Sequence, residues 1–460
     1  MSRYDFEDSA AARRSRRTFL ATTAIGAVSA VAGCTSTDND DDAQDTTFDD
    51  YEPSFEHPDD VRIDESFSLT IDDLPPDETV DIRLQTTDAN DITWSGRATF
   101  ETGEGRIDLE SDTPVESDVP DELDVPLPMG LIQFLAPDTA EHPYWPADEE
   151  TMTVTAEVDG EELGSTTLTR YVLPPGGTHA AVDHDGLFGE YVEPPGDEPA
   201  PGVLVLHGMG GQPDIRTARQ LAAHGFVAFA LHYFGDDPFP ERTLTEIPLE
   251  YVDAAIDWLR DHDRVAGSQI GIYGNQKGGE LGLLVGSRHD DVGAVVSVNG
   301  LGLAWEGYEG EGAPEQSSWT LDGEPVPYVP HYQDLDTWRE GANVAYETAF
   351  EEADEETLEE ATIPVEQIDG PVLLVSGADG QIWPSAQLQD VALERLEHHG
   401  HPYEYDHLLY ENTGNVIIFP YQPVAGRGVQ YAGGTPRGVA EAESDYWPSV
   451  VETLRSVGEE

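Results

Sequence analysis

The chain has almost no lysine and few basic residues of any kind. Its 460 residues carry 22 Lys and Arg against 93 Asp and Glu, a formal net charge of −71. Lys277 is its one lysine. So little positive charge excludes a nucleic-acid footprint, which needs Lys and Arg clustered against phosphates. Cysteine is nearly missing as well. Cys34 stands alone, which rules out an intrachain disulfide. The apolar segment "ATTAIGAVSA" at 21–30 is too short for an ordinary transmembrane helix. No cofactor motif and no metal-ligand constellation stands out.

What the chain does have is acid along its whole length. Hydrophobic residues still make up 38% of it, enough for a packed core, so a disordered reading fits little of the chain. A charge of this size drives a compact chain apart. Molar salt removes that repulsion, because the Debye length at 1 M is about 3 Å. The composition therefore reads as that of a halophile's protein, with an acidic surface that holds water. An acidic protein that binds cations or basic partners is the alternative, but the acids show no ligand-like spacing.

The N-terminus reads as an address. "RRSRRTFL" at 13–20, with Arg16 and Arg17, resembles a twin-arginine export signal. "VAGC" at 31–34 resembles a lipobox, in which Cys34 becomes the lipidated first residue. The expectation is an exported protein, lipid-anchored on the outer face of the plasma membrane. A cleaved signal with an incidental cysteine and an uncleaved anchor are the alternatives. Residues 35–55 read as an acidic disordered tether.

Two folded units follow. From 56 to 172, "SFSLTI" (66–71), "TVDIRLQT" (79–86), "TMTVTAEV" (151–158) and "STTLTRYVL" (165–173) alternate apolar and polar residues. That pattern predicts a small, immunoglobulin-like β-sandwich. "LPPGGTHAAV" at 173–182 reads as the boundary. From 175 to 460 apolar strand runs at 202–208, 225–231, 269–274, 293–298 and 370–377 alternate with helical stretches. The helices are expected near 213–224 and 249–260, from 278, and at 438–456. This predicts an α/β fold, a doubly wound, mostly parallel sheet covered by helices. Residues 300–367 interrupt the rhythm, with a helix expected at 351–361.

Several stretches carry a resemblance. They are "WSGRATFETGEGRIDL" (94–109), "PMGLIQFLAP" (128–137), "LAAHGFVAFALHYFG" (221–235), "IPLEYVDAAIDWL" (247–259), "VAGSQIGIYGNQKGGELGL" (265–283) and "GGTPRGVAEAESDYWPSVVETL" (433–454). In order and wording they resemble the family of acyl-CoA thioesterases and bile-acid-CoA:amino-acid N-acyltransferases. The resemblance implies an N-terminal sandwich joined to a C-terminal α/β-hydrolase domain, acting on fatty-acyl thioesters through a nucleophile, a base and an acid. It implies no cofactor.

All three of those positions are changed here. The nucleophile belongs at the apex of a Gly-x-(Ser/Cys)-x-Gly elbow. In Gly274-Asn275-Gln276-Lys277-Gly278 the apex is Gln276, whose amide has no oxygen that a base can activate. In "GADGQIWPS" (377–385) the acid position is Gly380, with Asp379 beside it as an off-by-one alternative. In "YENTGNVIIFPY" (410–421) the base position is Asn415, which takes no proton near neutral pH. His401 and His407 are not obvious replacements, and His407 falls in an expected strand. Loss of nucleophile or base costs a triad enzyme on the order of 10⁶ in turnover.

The backbone donors of an oxyanion hole need no particular side chain. Candidates are the N–H groups of Met209 or Gly210 and of Lys277, where a carboxylate or acyl ligand would sit. The Lys277 side chain and Glu280 follow the family's elbow pattern and read as structural. His207 reads as shaping the oxyanion loop. Three functions stay open: a non-hydrolytic relative that binds a ligand or partner, an active acyl-CoA hydrolase or acyltransferase with a displaced catalytic set, and a surface scaffold. Export counts against the second, because acyl-CoA is a cytoplasmic metabolite.

Overall fold

The computed structural model describes residues 48, 51–139, 142–310, 314–331 and 335–458. Arg16, Arg17, Cys34 and the acidic stretch from 35 to 47 lie outside them. Alternation along the N-terminal strands gives each a dry and a wet face. In Thr79–Thr87, Val80, Ile82 and Leu84 point inward and are fully buried. Met152, Val154 and Ala156 do the same in Glu149–Val158. Burying one such aliphatic side chain contributes about 1.5–3 kcal/mol. Both strands belong to a seven-stranded sheet, flanked by Thr93–Glu101 and Glu161–Tyr171. A three-stranded sheet of Ser54–Glu56, Thr70–Asp72 and Ile107–Asp108 joins the same core through Ile71 and Ile107.

The second sheet has eight strands. They are β1 (Thr178–His184), β2 (Leu187–Glu193), β3 (Ala200–Leu206), β4 (Val227–His232), β5 (Val265–Asn275), β6 (Val292–Val298), β7 (Val372–Gly377) and β8 (Tyr405–Tyr410). Their order is β1-β2-β4-β3-β5-β6-β7-β8. The first two pairings are antiparallel and the rest parallel. Strands β4 and β6 are buried at every position, as central parallel strands require. The helices covering the sheet are α1 (Ile215–Ala223), α2 (Leu249–Arg260), α3 (Lys277–Gly286), α4 (Ser385–His399) and α5 (Pro436–Arg455). Helix α2 shows why its span was readable. Leu249, Val252, Ala255, Ile256 and Leu259 form one buried stripe at helical spacing, with Glu250 in the first turn and Arg260 in the last.

Some elements differ from expectation. The proposed boundary at 173–182 includes β1, which pairs with β2 along its whole length. The strand expected at 66–71 is shorter and later, Thr70–Asp72. The helix expected at 351–361 is two helices, Ala342–Glu352 and Glu355–Ala361. Ala353 turns extended between them, and the Asp354 carboxylate caps the second by accepting from the Thr357 N–H at 2.8 Å.

The sandwich grips the loop that follows β8. Arg170, buried and paired with Glu150 at 2.8 Å, donates to the Tyr421 carbonyl at 2.6 Å. The Val424 N–H donates to the Gln133 carbonyl at 2.8 Å. Trp447 Nε1 on α5 donates to the Asp64 carboxylate at 2.7 Å. The first two contacts tie the stretch after Asn415 to the sandwich, and the third ties helix α5 to it.

Candidate functional site

The elbow after β5 is intact as a turn. Gln276 sits at φ 58° and ψ −119°, a strained backbone for a residue with a side chain. Its N–H donates to the Val298 carbonyl at 2.8 Å. The turn is tight enough to demand glycine. A Cβ on Gly274 would lie 2.1 Å from the Gly278 carbonyl oxygen, and one on Gly278 would lie 2.2 Å from that of Leu206. Helix α3 starts at once, and Lys277, its first residue, has an N–H with no intrahelical partner.

The structure brings the three replaced positions together and joins them to one another. Gln276 Oε1 accepts from the Met209 N–H at 3.2 Å. Gln276 Nε2 donates to the Asn415 backbone carbonyl at 3.2 Å. The Asn415 side chain is fully buried; its Oδ1 accepts from the Ile382 N–H at 2.9 Å, and its Nδ2 donates to the Trp383 carbonyl at 3.0 Å. At Gly380, a Cβ would meet the Trp383 carbonyl oxygen at 2.5 Å and Asn415 Nδ2 and Oδ1 at 2.8 and 2.9 Å. The Asn415 amide therefore fills the space a side chain at 380 would need. No group in this constellation can lose a proton to attack or accept one from an attacker.

Met209 offers its N–H to Gln276, so this oxyanion donor is occupied from within the protein. Gly210 is exposed beside it. The off-by-one acid does not reach the elbow. Asp379 is exposed and accepts from Gln381 Nε2 at 2.9 Å and from the Gly434 N–H at 2.8 Å, which turns it toward the loop before α5.

The Lys277 side chain leaves the elbow for the core. Its ammonium contacts Glu280 at 2.8 Å and Ser318 Oγ at 2.9 Å. Glu280 also accepts from the Trp305 N–H at 3.2 Å and from Trp319 Nε1 at 2.6 Å. Burial pulls the Lys277 pKa down and pushes that of Glu280 up, and their mutual contact opposes both shifts. The pair pins the start of the insertion, which then packs onto both walls of the elbow. Trp305, Tyr346 and Trp383 form a buried aromatic cluster with Met209 and Ile382 against it. His207 stacks on Tyr233 at 4.2 Å, and burial lowers its pKa to about 3, so it stays neutral. His401 is tied to the Gly370 carbonyl at 3.0 Å.

One constellation escaped the sequence. His407 on β8 contacts Ser376 Oγ through Nε2 at 2.9 Å and Asp390 through Nδ1 at 2.9 Å. This is a Ser–His–Asp chain, but it lies at the sheet edge beside α4. Ser376 is fully buried on β7, where no substrate reaches it. The link rests on strand register, with Leu374 opposite His407, and no local motif marks it. Asp257, His289 and Asp291 bring ligand atoms within 4.8 Å of one another. Arg260 already bonds both aspartates there, at 3.1 Å to Asp257, so that charge is answered internally.

Residues 64–187 match the family described as acyl-CoA thioester hydrolase/BAAT N-terminal region. Residues 247–457, which include 276, 380 and 415, match BAAT/acyl-CoA thioester hydrolase C terminal. The chain is 28% identical over 420 residues to acyl-coenzyme A amino acid N-acyltransferase 1 of Mus musculus, covering 86% of this chain and 96% of that one. It is 29% identical over 404 residues to acyl-coenzyme A thioesterase 1 of Rattus norvegicus, covering 84% and 91%. Among solved structures, a putative dienelactone hydrolase from Klebsiella pneumoniae aligns at 15% identity over 60% of this chain and 97% of that one, with a TM-score of 0.39. On both family matches, which run in order along the sandwich and the hydrolase sheet, the chain belongs to the acyl-CoA thioester hydrolase/bile acid-CoA:amino acid N-acyltransferase family.

Proposed function

We propose that the protein is a non-hydrolytic member of this family that works by binding a partner. One observation carries the reading. The amides of Gln276 and Asn415 hold the places of nucleophile and base, and they are spent on the Met209 N–H and on the loop around Gly380. The Gln276 carbonyl lies on the donor that a substrate's oxygen would need, so a carboxylate or acyl ligand has to displace it. That favours a partner on the surface over a small molecule in the elbow. A displaced catalytic set finds little support, because the serine of the hydrogen-bonded Ser376–His407–Asp390 chain is fully buried. Incubation with a fatty-acyl-CoA followed by intact-mass spectrometry tests this: no acyl adduct is expected, and a stoichiometric adduct contradicts the reading.

Export and lipidation at Cys34 belong to the same proposal. Among the described residues no helix is long and apolar enough to cross a membrane. A Cys34→Ala variant is expected to move from the membrane fraction to the soluble one. Unchanged attachment speaks against a lipid anchor.

A further inference from the structure

Strand β1 ends the eight-stranded sheet with an open edge. It pairs with β2 over all seven of its residues without a bulge, and its other edge meets no strand among the described residues. Val182 is half-buried and the six other residues are exposed. Folded proteins normally blunt such an edge with proline, lysine, a bulge or a covering element. β1 has no proline, lysine or bulge, and its exposure shows that nothing covers it. Its one carboxylate, Asp183, has no ion pair or hydrogen-bond partner among the described residues.

The turn decides which groups this edge offers. Asp185 and Gly186 join β1 to β2 with φ of 48° and 88°, the type I′ pair of a two-residue hairpin. The residues flanking such a turn, His184 and Leu187, exchange both backbone hydrogen bonds, and the pattern then alternates along the strands. Thr178, Ala180, Val182 and His184 therefore aim their N–H and C=O groups at β2, and His179, Ala181 and Asp183 aim theirs outward. Phe188, opposite Asp183, fits this pattern: its N–H points away from β1, to the Tyr251 hydroxyl at 3.2 Å.

The outward residues complement themselves. Laid antiparallel to a second copy with Ala181 facing itself, each outward residue meets an outward residue, and about six backbone hydrogen bonds form. His179 then faces the partner's Asp183, and Ala180 faces the partner's Val182. Centring the pair on Ala180 or Val182 would set Asp183 against Gly177 or Ala181 and lose the polar match. His179 is prepared for it. Arg219 Nη2 donates to its Nδ1 at 3.2 Å, which leaves the proton on Nε2 to meet a carboxylate. We propose that β1 pairs antiparallel with β1 of a second copy about a two-fold axis at Ala181, joining two eight-stranded sheets into one. The contact is isologous, as a two-fold requires. Molar salt lets two such acidic chains approach, because the Debye length at 1 M is about 3 Å. The inference goes beyond the partner-binding reading and does not rest on the elbow.

The test uses the full-length chain carrying Cys34→Ala, in the potassium chloride concentration that keeps it folded. Sedimentation equilibrium is expected to show a concentration-dependent shift from the 50.1 kDa of one chain toward twice that mass. Ala181→Pro removes an outward N–H and no bond to β2, and edge strands tolerate proline. Asp183→Lys removes the acceptor for His179; it also reduces the net charge, which by repulsion alone would strengthen association. Each variant, checked for an unchanged melting temperature, is expected to weaken the dimer at least tenfold. In the pairing, two Ala181 Cα atoms lie about 5.5 Å apart, within the disulfide range of roughly 4.4–6.8 Å. Under mild oxidation Ala181→Cys is expected to cross-link to itself. Asp183→Cys, whose copies would lie about 14 Å apart, is expected to stay uncross-linked. The proposal is overturned if the native chain is a monomer at every concentration, or if either Ala181→Pro or Asp183→Lys dimerises as well as it does. Cross-linking of Asp183→Cys as readily as Ala181→Cys would overturn it too.

Discussion

Gln276→Ser is expected to leave the protein without measurable acyl-CoA thioesterase activity, although it puts a hydroxyl at the apex of an intact elbow. The substitution frees the Met209 N–H and so returns one oxyanion donor. It returns neither base nor acid. The new hydroxyl would face the Asn415 backbone carbonyl, which now accepts from Gln276 Nε2, and the Asn415 side chain is committed to Ile382 and Trp383. A triad without its base runs about 10⁶ slower, and donors with binding alone leave about 10³–10⁴ over water. The acid cannot be restored singly either. In Gly380→Asp the new Cβ collides with the Trp383 carbonyl and the Asn415 amide, an overpacking that costs about 1–3 kcal/mol. Thermal unfolding should show that loss in Gly380→Asp, and less of it when Asn415 is changed as well. Robust thioester turnover by Gln276→Ser alone would mean that a working base lies near the elbow, contrary to the bonds described.

The second large effect concerns salt. Dialysis from about 2–3 M potassium chloride to about 0.1 M is expected to unfold the protein, because the Debye length grows from about 2–3 Å to about 10 Å. At low salt a net charge of −71 acts on itself across the surface. The helix Glu355–Ala361 shows the problem locally. Glu355 and Glu359, and Glu356 and Glu360, are exposed like-charged pairs one helical turn apart, each destabilising by a few tenths of a kcal/mol when unscreened. Basic residues that could answer them are largely engaged, as Arg219, Arg260, Arg264, Arg288 and Arg427 all hold carboxylates of their own. Far-UV circular dichroism against salt checks this. A native spectrum and an unchanged melting temperature at 0.1 M would remove the halophilic reading.

Much of the architecture was legible because burial follows period. The two-residue alternation at 79–86 and 151–158 and the helical stripe at 249–260 each name a buried face. What stayed hidden depends on space instead of pattern. The short helix Leu127–Gln133 buries nearly every residue, so it carries no polar face to mark it. Strand β1 is almost wholly exposed, so it has no dry face to betray it. At the site, Gln276, Gly380 and Asn415 were readable as three separate replacements. That the Asn415 amide occupies the room above Gly380, and that Gln276 plugs the Met209 donor, follows only from chain segments far apart in sequence meeting at the ends of β3, β5, β7 and β8. The same holds for Ser376, His407 and Asp390, whose contact is a product of strand register.

The central claim is that the elbow is a preserved turn without chemistry. Steady-state hydrolysis of a fatty-acyl-CoA by the purified protein in molar potassium chloride, beside its Gln276→Ala variant, tests it most directly. The two are expected to give the same rate, indistinguishable from the protein-free background. A rate for the native chain well above both Gln276→Ala and background would show that Gln276 or its neighbours catalyse, and the account would be wrong.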